Sequence, residues 1–207
     1  LALVVGRAGA GKTTMMKAAR EIWEANGYKV VGGALAGKAA EGLEKEAGIT
    51  SRTLASWELQ WKEGRSAIDN KTVFVIDEAG MVASRQMAEF VSAVDRAGAK
   101  LVLVGDADQL QPIEAGGAFR KLADTIGYAE LGTIWRQREQ WMRDASMDLA
   151  RGNVRDALTA YHEKGHVIEA ATKADAIAAL VKDWIADYDP ARSSLILAYM
   201  RKDVRAL

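Results

Sequence analysis

Cysteine is absent from this chain, proline occurs twice and histidine twice, and neither sign of charge prevails: 28 basic side chains face 28 acidic ones. Without cysteine there is no disulfide framework of the kind that stabilises small exported domains. No apolar run approaches the roughly 20 residues a membrane-spanning helix needs. No basic start, apolar stretch and cleavage site follow one another as in a secretory signal, so the expected location is the cytoplasm. The balanced charge gives no global field that would draw in a polyanion, although basic side chains confined to one groove stay compatible with such a partner. Neither the prolines nor any Ser/Gly tract marks a flexible linker. What the 207 residues do have is 49% hydrophobic content, enough for one sizeable core or for one core and the start of a second.

That content is clustered. Four short apolar runs recur: LALVVG from Leu1, TVFVIDE from Thr72, KLVLVGD from Lys100 and SSLILAY from Ser193. Their lack of polar alternation is the pattern of strands buried on both faces. Between them, helical spacing runs over Lys12 to Asn26, Ser84 to Ala97 and Ala174 to Tyr188. The first is stopped by Asn26-Gly27, the second opens on a capping serine, and the third aligns Ile177, Leu180, Val181, Trp184 and Ile185 on one stripe. Alternating strands and helices predict an α/β fold with a parallel sheet flanked by helices. The chain starts inside a strand and stops at Asp203 to Leu207 in what reads as a new helix, so it is expected to be a fragment of something longer.

Three motifs carry chemistry. Gly6-Arg-Ala-Gly-Ala-Gly-Lys12-Thr13 satisfies G-x-x-x-x-G-K-S/T between a strand-like and a helix-like segment. Glycines let backbone N–H groups approach phosphate oxygens, and the helix N-terminus adds positive potential. Lys12 can reach the outer phosphates, and the Thr13 hydroxyl can ligate Mg²⁺. The expected nucleotide contacts are Gly6, Gly9, Ala10, Gly11, Lys12, Thr13 and Thr14. A purely structural strand-to-helix turn would need neither the lysine nor the threonine. Next, Asp77-Glu78 closes the second run, and a neighbouring buried strand is where a partner carboxylate should stand. Asp77 then serves the Mg²⁺ shell, and Glu78 orients and deprotonates the attacking water, which favours a hydrolase over a kinase. Taken alone, such an acidic pair can also be a solvated loop start. After the third run, Gln109 lies where open α/β sheets bind ligands and can sense a γ-phosphate, or else it belongs to a turn ended by Pro112.

In this order, GRAGAGKT, VIDEAGMV, VGDADQLQPIEAG and IWRQRE resemble motifs I to IV of superfamily 1 DNA helicases of the RecD-like branch. The similarity is greatest to the helicase portion of TraA-type conjugative relaxases, where Ala36 to Leu43 and Trp141 to Ser146 also match, and it covers nearly the whole chain. The resemblance implies a RecA-like P-loop NTPase: a first lobe over residues 1–132 with motifs I to III, and the truncated start of a second over 133–207. It implies ATP and Mg²⁺ as cofactors, single-stranded DNA as partner alongside other conjugation or recombination proteins, and hydrolysis coupled to 5′ to 3′ movement and unwinding. It strengthens the sensor role of Gln109. It also makes Arg136 the finger that reaches the γ-phosphate from the second lobe, where the bland alternative is a surface arginine beside Arg138 and Arg143. By the same resemblance Gly37, Lys38 and Thr53 contact the strand, although Ala36 stands where relatives often carry a threonine and so removes one hydroxyl. With later motifs lying beyond Leu207, the isolated fragment is expected to bind ATP weakly and to turn over little. Two rivals fit the cradle without a DNA track: a signalling or assembly ATPase, and a catalytically silent scaffold.

Other residues read as structure. Trp57 and Trp61, four apart on a helix, point to packing more than to base stacking. Met15 and Met16 fill core behind the cradle, and His162 and His166 lack the partners of a zinc site.

Overall fold

Unbroken apolar runs need neighbours on both faces. In the computed structural model, which describes residues 1–65, 67–106, 117–192, 194–198 and 200–205, three of the four runs have them. The first compact unit, Leu1–Arg138, contains strands β1 (Ala2–Gly6), β2 (Lys29–Ala34), β3 (Thr50–Thr53), β4 (Thr72–Ile76), β5 (Lys100–Gly105) and β6 (Ala129–Leu131). They form one sheet in the order β3-β2-β4-β5-β1-β6, with every pairing parallel. Connecting the strands are helices α1 (Lys12–Ala25), α2 (Gly37–Ala47), α3 (Leu54–Lys62), α4 (Ser84–Arg96) and α5 (Ala118–Ile126).

Successive residues of the central strands bury into two different cores. Phe74, Ile76, Leu101 and Leu103 face one layer with Leu54, Trp57, Phe90 and Phe119; Val73, Val75, Val102 and Val104 face the other with Met16 and Leu43. Each such side chain removed from water contributes about 1.5–3 kcal/mol before the chain-entropy cost. Trp57 is buried and donates Nε1–H to the Gly32 carbonyl at 2.8 Å. Trp61 stacks against Phe90 with ring centroids 4.9 Å apart, so the tryptophan pair is core packing. Met16 is 2% exposed and Met15 packs beside it, as core fillers do.

Two expectations are corrected. The carboxylate-bearing strand β4 is not the neighbour of β1, because β5 lies between them. Strand order in space is set by pairing, and at about 4.8 Å per strand the insertion sets β1 and β4 roughly 10 Å apart in the sheet. The fourth apolar run forms no strand over residues 194–198, and Leu195 and Leu197 are 80% and 86% exposed. A strand needs a ladder partner, and the unit holding this run has no other strand among the described residues. A smaller difference concerns Ser84, which stands inside the first turn of α4, preceded by Ala83 as the capping position.

The second unit, Glu139–Leu207, is described by α6 (Gln140–Arg151), α7 (Val154–Glu163), α8 (Lys173–Ala186) and α9 (Arg201–Val204). Within it Ala145 and Ala157 are buried, and His166 lies against Trp141 with ring centroids 5.4 Å apart. Thr172 caps α8 by accepting the Asp175 N–H at 3.2 Å, yet no residue of that helix is buried. Among the described residues, no helix is long and apolar enough to cross a membrane.

Candidate nucleotide site

The glycine motif folds as a cradle for backbone reasons. Gly9 and Gly11 adopt φ of +81° and +82°, which a Cβ would make costly. Helix α1 starts directly after Gly11 with no side-chain cap, so its first N–H groups are left for a ligand. Ala10 N–H closes the loop onto the Arg7 carbonyl at 3.0 Å. Lys12 folds over it, donating Nζ–H to the carbonyls of Gly6 at 2.7 Å and Arg7 at 3.3 Å.

Across the cavity stand the two carboxylates. Asp77 N–H donates to the Gly33 carbonyl at 2.9 Å, extending the ladder one residue past β4, and its Oδ1 accepts the Glu78 N–H at 2.9 Å. Glu78 has φ 51° and ψ 38°, and among the described residues it is the one non-glycine with positive φ. Such a backbone costs on the order of 1–3 kcal/mol and persists where surroundings impose it. The surroundings are visible: Ala79–Met81 forms a 3-10 turn wedged on the end of β5. A Cβ on Gly80 would lie 2.7 Å from the Asp106 carbonyl oxygen, and one on Gly105 would lie 2.9 Å from the Gly80 nitrogen. Burial raises the Asp77 pKa above its ordinary value, and the Glu78 amide and Lys12 oppose it. Burial also raises that of Glu78, seconded by the neighbouring Asp77 charge.

A cavity of about 510 Å³ joins these parts, lined by Ala8 to Thr14, Glu46, Asp77, Glu78, Trp135 and Arg136. Gly9 holds the last two: its carbonyl accepts the N–H of Trp135 at 2.8 Å and of Arg136 at 3.3 Å. A Cβ on Gly9 would come within 2.5 Å of the Arg136 Cβ. Arg136 therefore stands over the cradle as part of the unit that ends at Arg138. The donor set suits a magnesium nucleotide: open amides and Lys12 for phosphate, with Thr13 and Asp77 as hard oxygen ligands.

The remaining expected residues lie elsewhere. Gln109 falls outside the described residues. Gly37 and Lys38 form the exposed first turn of α2. Thr53 caps α3, its Oγ1 accepting the Ser56 N–H at 3.2 Å. Ala34 and Thr53 are register partners at the ends of β2 and β3, so these residues occupy the same sheet end as the cradle without lining its cavity. Glu46 and Trp135 line it and were not singled out from the sequence. Trp135 had one available signal, its place directly before Arg136; Glu46 had none.

Known proteins resemble this chain in sequence and in fold. Residues 1–172 match the family described as AAA domain. A probable conjugal transfer protein TraA of Sinorhizobium fredii is 69% identical over 207 residues, covering all of this chain and 19% of that protein. The ATP-dependent RecD2 DNA helicase of Deinococcus radiodurans is 31% identical over 141 residues, covering 66% of this chain and 20% of that one. The chain thus spans about a fifth of the length of each of these two relatives. Its fold is shared with the crystal structure of Pif1 helicase from Bacteroides in complex with ADP-AlF3 and ssDNA: TM-score 0.54, 19% identity, 91% of this chain and 53% of that one.

Proposed function

The chain belongs to the AAA domain family, and from that premise we propose that it is the ATP-hydrolysing portion of a DNA helicase of a conjugation protein. The observation that carries the reading is the convergence of Lys12, Thr13, Asp77, Glu78 and Arg136 on one cavity beside an uncapped helix start. The likeness to conjugal transfer and helicase proteins supports the DNA-directed version of it.

In this mechanism the cradle amides and Lys12 bind the phosphates, and Thr13 with Asp77 would hold Mg²⁺. The ion, when bound, offsets charge developing on the transferred phosphoryl group. Glu78, held by its left-handed backbone, takes the proton of the attacking water. Arg136 neutralises charge on the γ-phosphate, and Gln109 reports its presence. Gly37, Lys38 and Thr53 grip single-stranded DNA, along which the protein moves 5′ to 3′ as ATP is hydrolysed. The 1–132 and 133–207 segments serve as first lobe and start of a second, with Trp135 and Arg136 belonging to the compact unit of the first, and the whole protein acts in the cytoplasm with other conjugation proteins.

ATP hydrolysis by the full-length protein, with and without single-stranded DNA, tests this. Glu78→Gln is expected to lower kcat by about 10²–10⁴ while leaving nucleotide affinity near wild type. Wild-type turnover that ignores DNA would favour an ATPase without a track. Affinity unchanged by Lys12→Ala would favour a silent scaffold.

A further inference from the structure

One charged residue in the nucleotide cavity belongs to none of the motifs above. Glu46 stands in the last turn of α2, on the cavity wall that also holds Thr13, Thr14, Asp77 and Glu78. Its backbone is held against the cradle helix, because Arg20 of α1 donates Nη1–H to the Gly48 carbonyl at 3.0 Å just past the end of α2. One end of α1 thus presents Thr13 and its other half anchors the segment that presents Glu46. The Glu46 charge is felt at Asp77, but less than the charge of Lys12. With Thr13 and Asp77 as the direct oxygen ligands, a further carboxylate lining the same cavity is left a place in a second layer. Mg²⁺ suits such a layer, since it sheds water reluctantly and usually keeps several water molecules when bound to protein carboxylates and phosphate.

We propose that Glu46 is a positioning residue of the nucleotide site, accepting hydrogen bonds from water on the divalent ion held by Thr13 and Asp77. The inference rests on the nucleotide reading above and adds a residue to it. Outer carboxylates of this kind orient the inner ligands, and their loss weakens metal affinity without removing the site.

The test follows binding of a fluorescent ADP analogue to the full-length protein as Mg²⁺ is titrated from an EDTA-treated start. Glu46→Gln is expected to raise the Mg²⁺ concentration at half-saturation about tenfold, the lower end of effects for outer ligands. Affinity for the analogue in EDTA should stay unchanged. Glu44→Gln removes the same charge from the same helix at a residue that does not line the cavity, and it is expected to leave the titration at wild type. An unshifted Glu46→Gln titration overturns the proposal, and so does an equal shift in both variants, which would report only a general loss of charge. A change confined to the EDTA affinity also overturns it, because the carboxylate would then act on phosphate alone. Wild-type protein that binds no analogue at any Mg²⁺ concentration refutes the nucleotide reading itself, and this inference with it.

Discussion

At Asp77, the metal-binding role proposed above and the stability of the fold pull in opposite directions. Burial favours the neutral carboxyl, so the folded protein holds this proton to higher pH than the unfolded chain does. Below the ordinary aspartate range both states are protonated and the residue is neutral in its effect. As pH rises past that range the unfolded chain releases its proton first, and folding carries a penalty that persists to neutral pH. Asp77→Asn keeps an oxygen for the Glu78 N–H and is therefore expected to raise the melting temperature at pH 7 by a few degrees. The gain should disappear near pH 3, where the wild-type carboxyl is neutral as well. Saturating Mg²⁺ and nucleotide should reverse the order, since the wild type alone retains the carboxylate charge proposed to hold the ion. Differential scanning fluorimetry at the two pH values, with and without ligand, reads all three outcomes; a variant no more stable than wild type at pH 7 contradicts the account. Glu78 shows the same tension in its backbone, since its left-handed φ is kept by the 3-10 turn jammed on Gly105.

At the scale of elements, Gly9 decides how two segments meet. Its positive φ and its closeness to Arg136 leave no room for a methyl group. Gly9→Ala is expected to cost about 1–3 kcal/mol of stability through strain and overpacking. It should also weaken nucleotide binding more than Gly37→Ala, where a Cβ meets nothing within 4 Å; urea melts and nucleotide titrations of the two variants make the comparison. The same local character explains what was legible in the sequence. The cradle could be read because its parts are consecutive, and β1, β4 and β5 because burial on both faces leaves unbroken apolar runs. Strand β2 was hidden by Gly32 and Gly33, whose lack of side chains is required by contact with Ser51, Leu43 and Leu54. Strand β3, TSRT, is a polar edge, and β6 has three residues. Residues 194–198 carry the apolar signal without the pairing, which no local pattern records. Glu46 entered the site through tertiary packing, with helical neighbours that look like an ordinary solvated face.

For the whole molecule, the equal numbers of basic and acidic side chains mean that any grip on DNA must come from where charges sit and not from their sum. Lys38, proposed above as a contact to the strand, is exposed in the first turn of α2, at the sheet end that also carries the cradle. A lysine that neutralises one phosphate releases one condensed counterion, and on single strands each such contact contributes about −0.7 to the slope of log affinity against log salt. Lys38→Ala in the full-length protein is therefore expected to flatten that slope by about 0.7. It should weaken binding equally for oligonucleotides of different sequence, because a phosphate contact carries no base information. Fluorescence anisotropy over a salt series, with two unrelated oligonucleotides, measures both quantities. An unchanged slope would remove Lys38 from the DNA track, whereas a sequence-dependent loss would place it against a base. Lys45 offers the control at the other end of the same helix, outside the exposed first turn, and its alanine variant should leave the slope where the wild type has it.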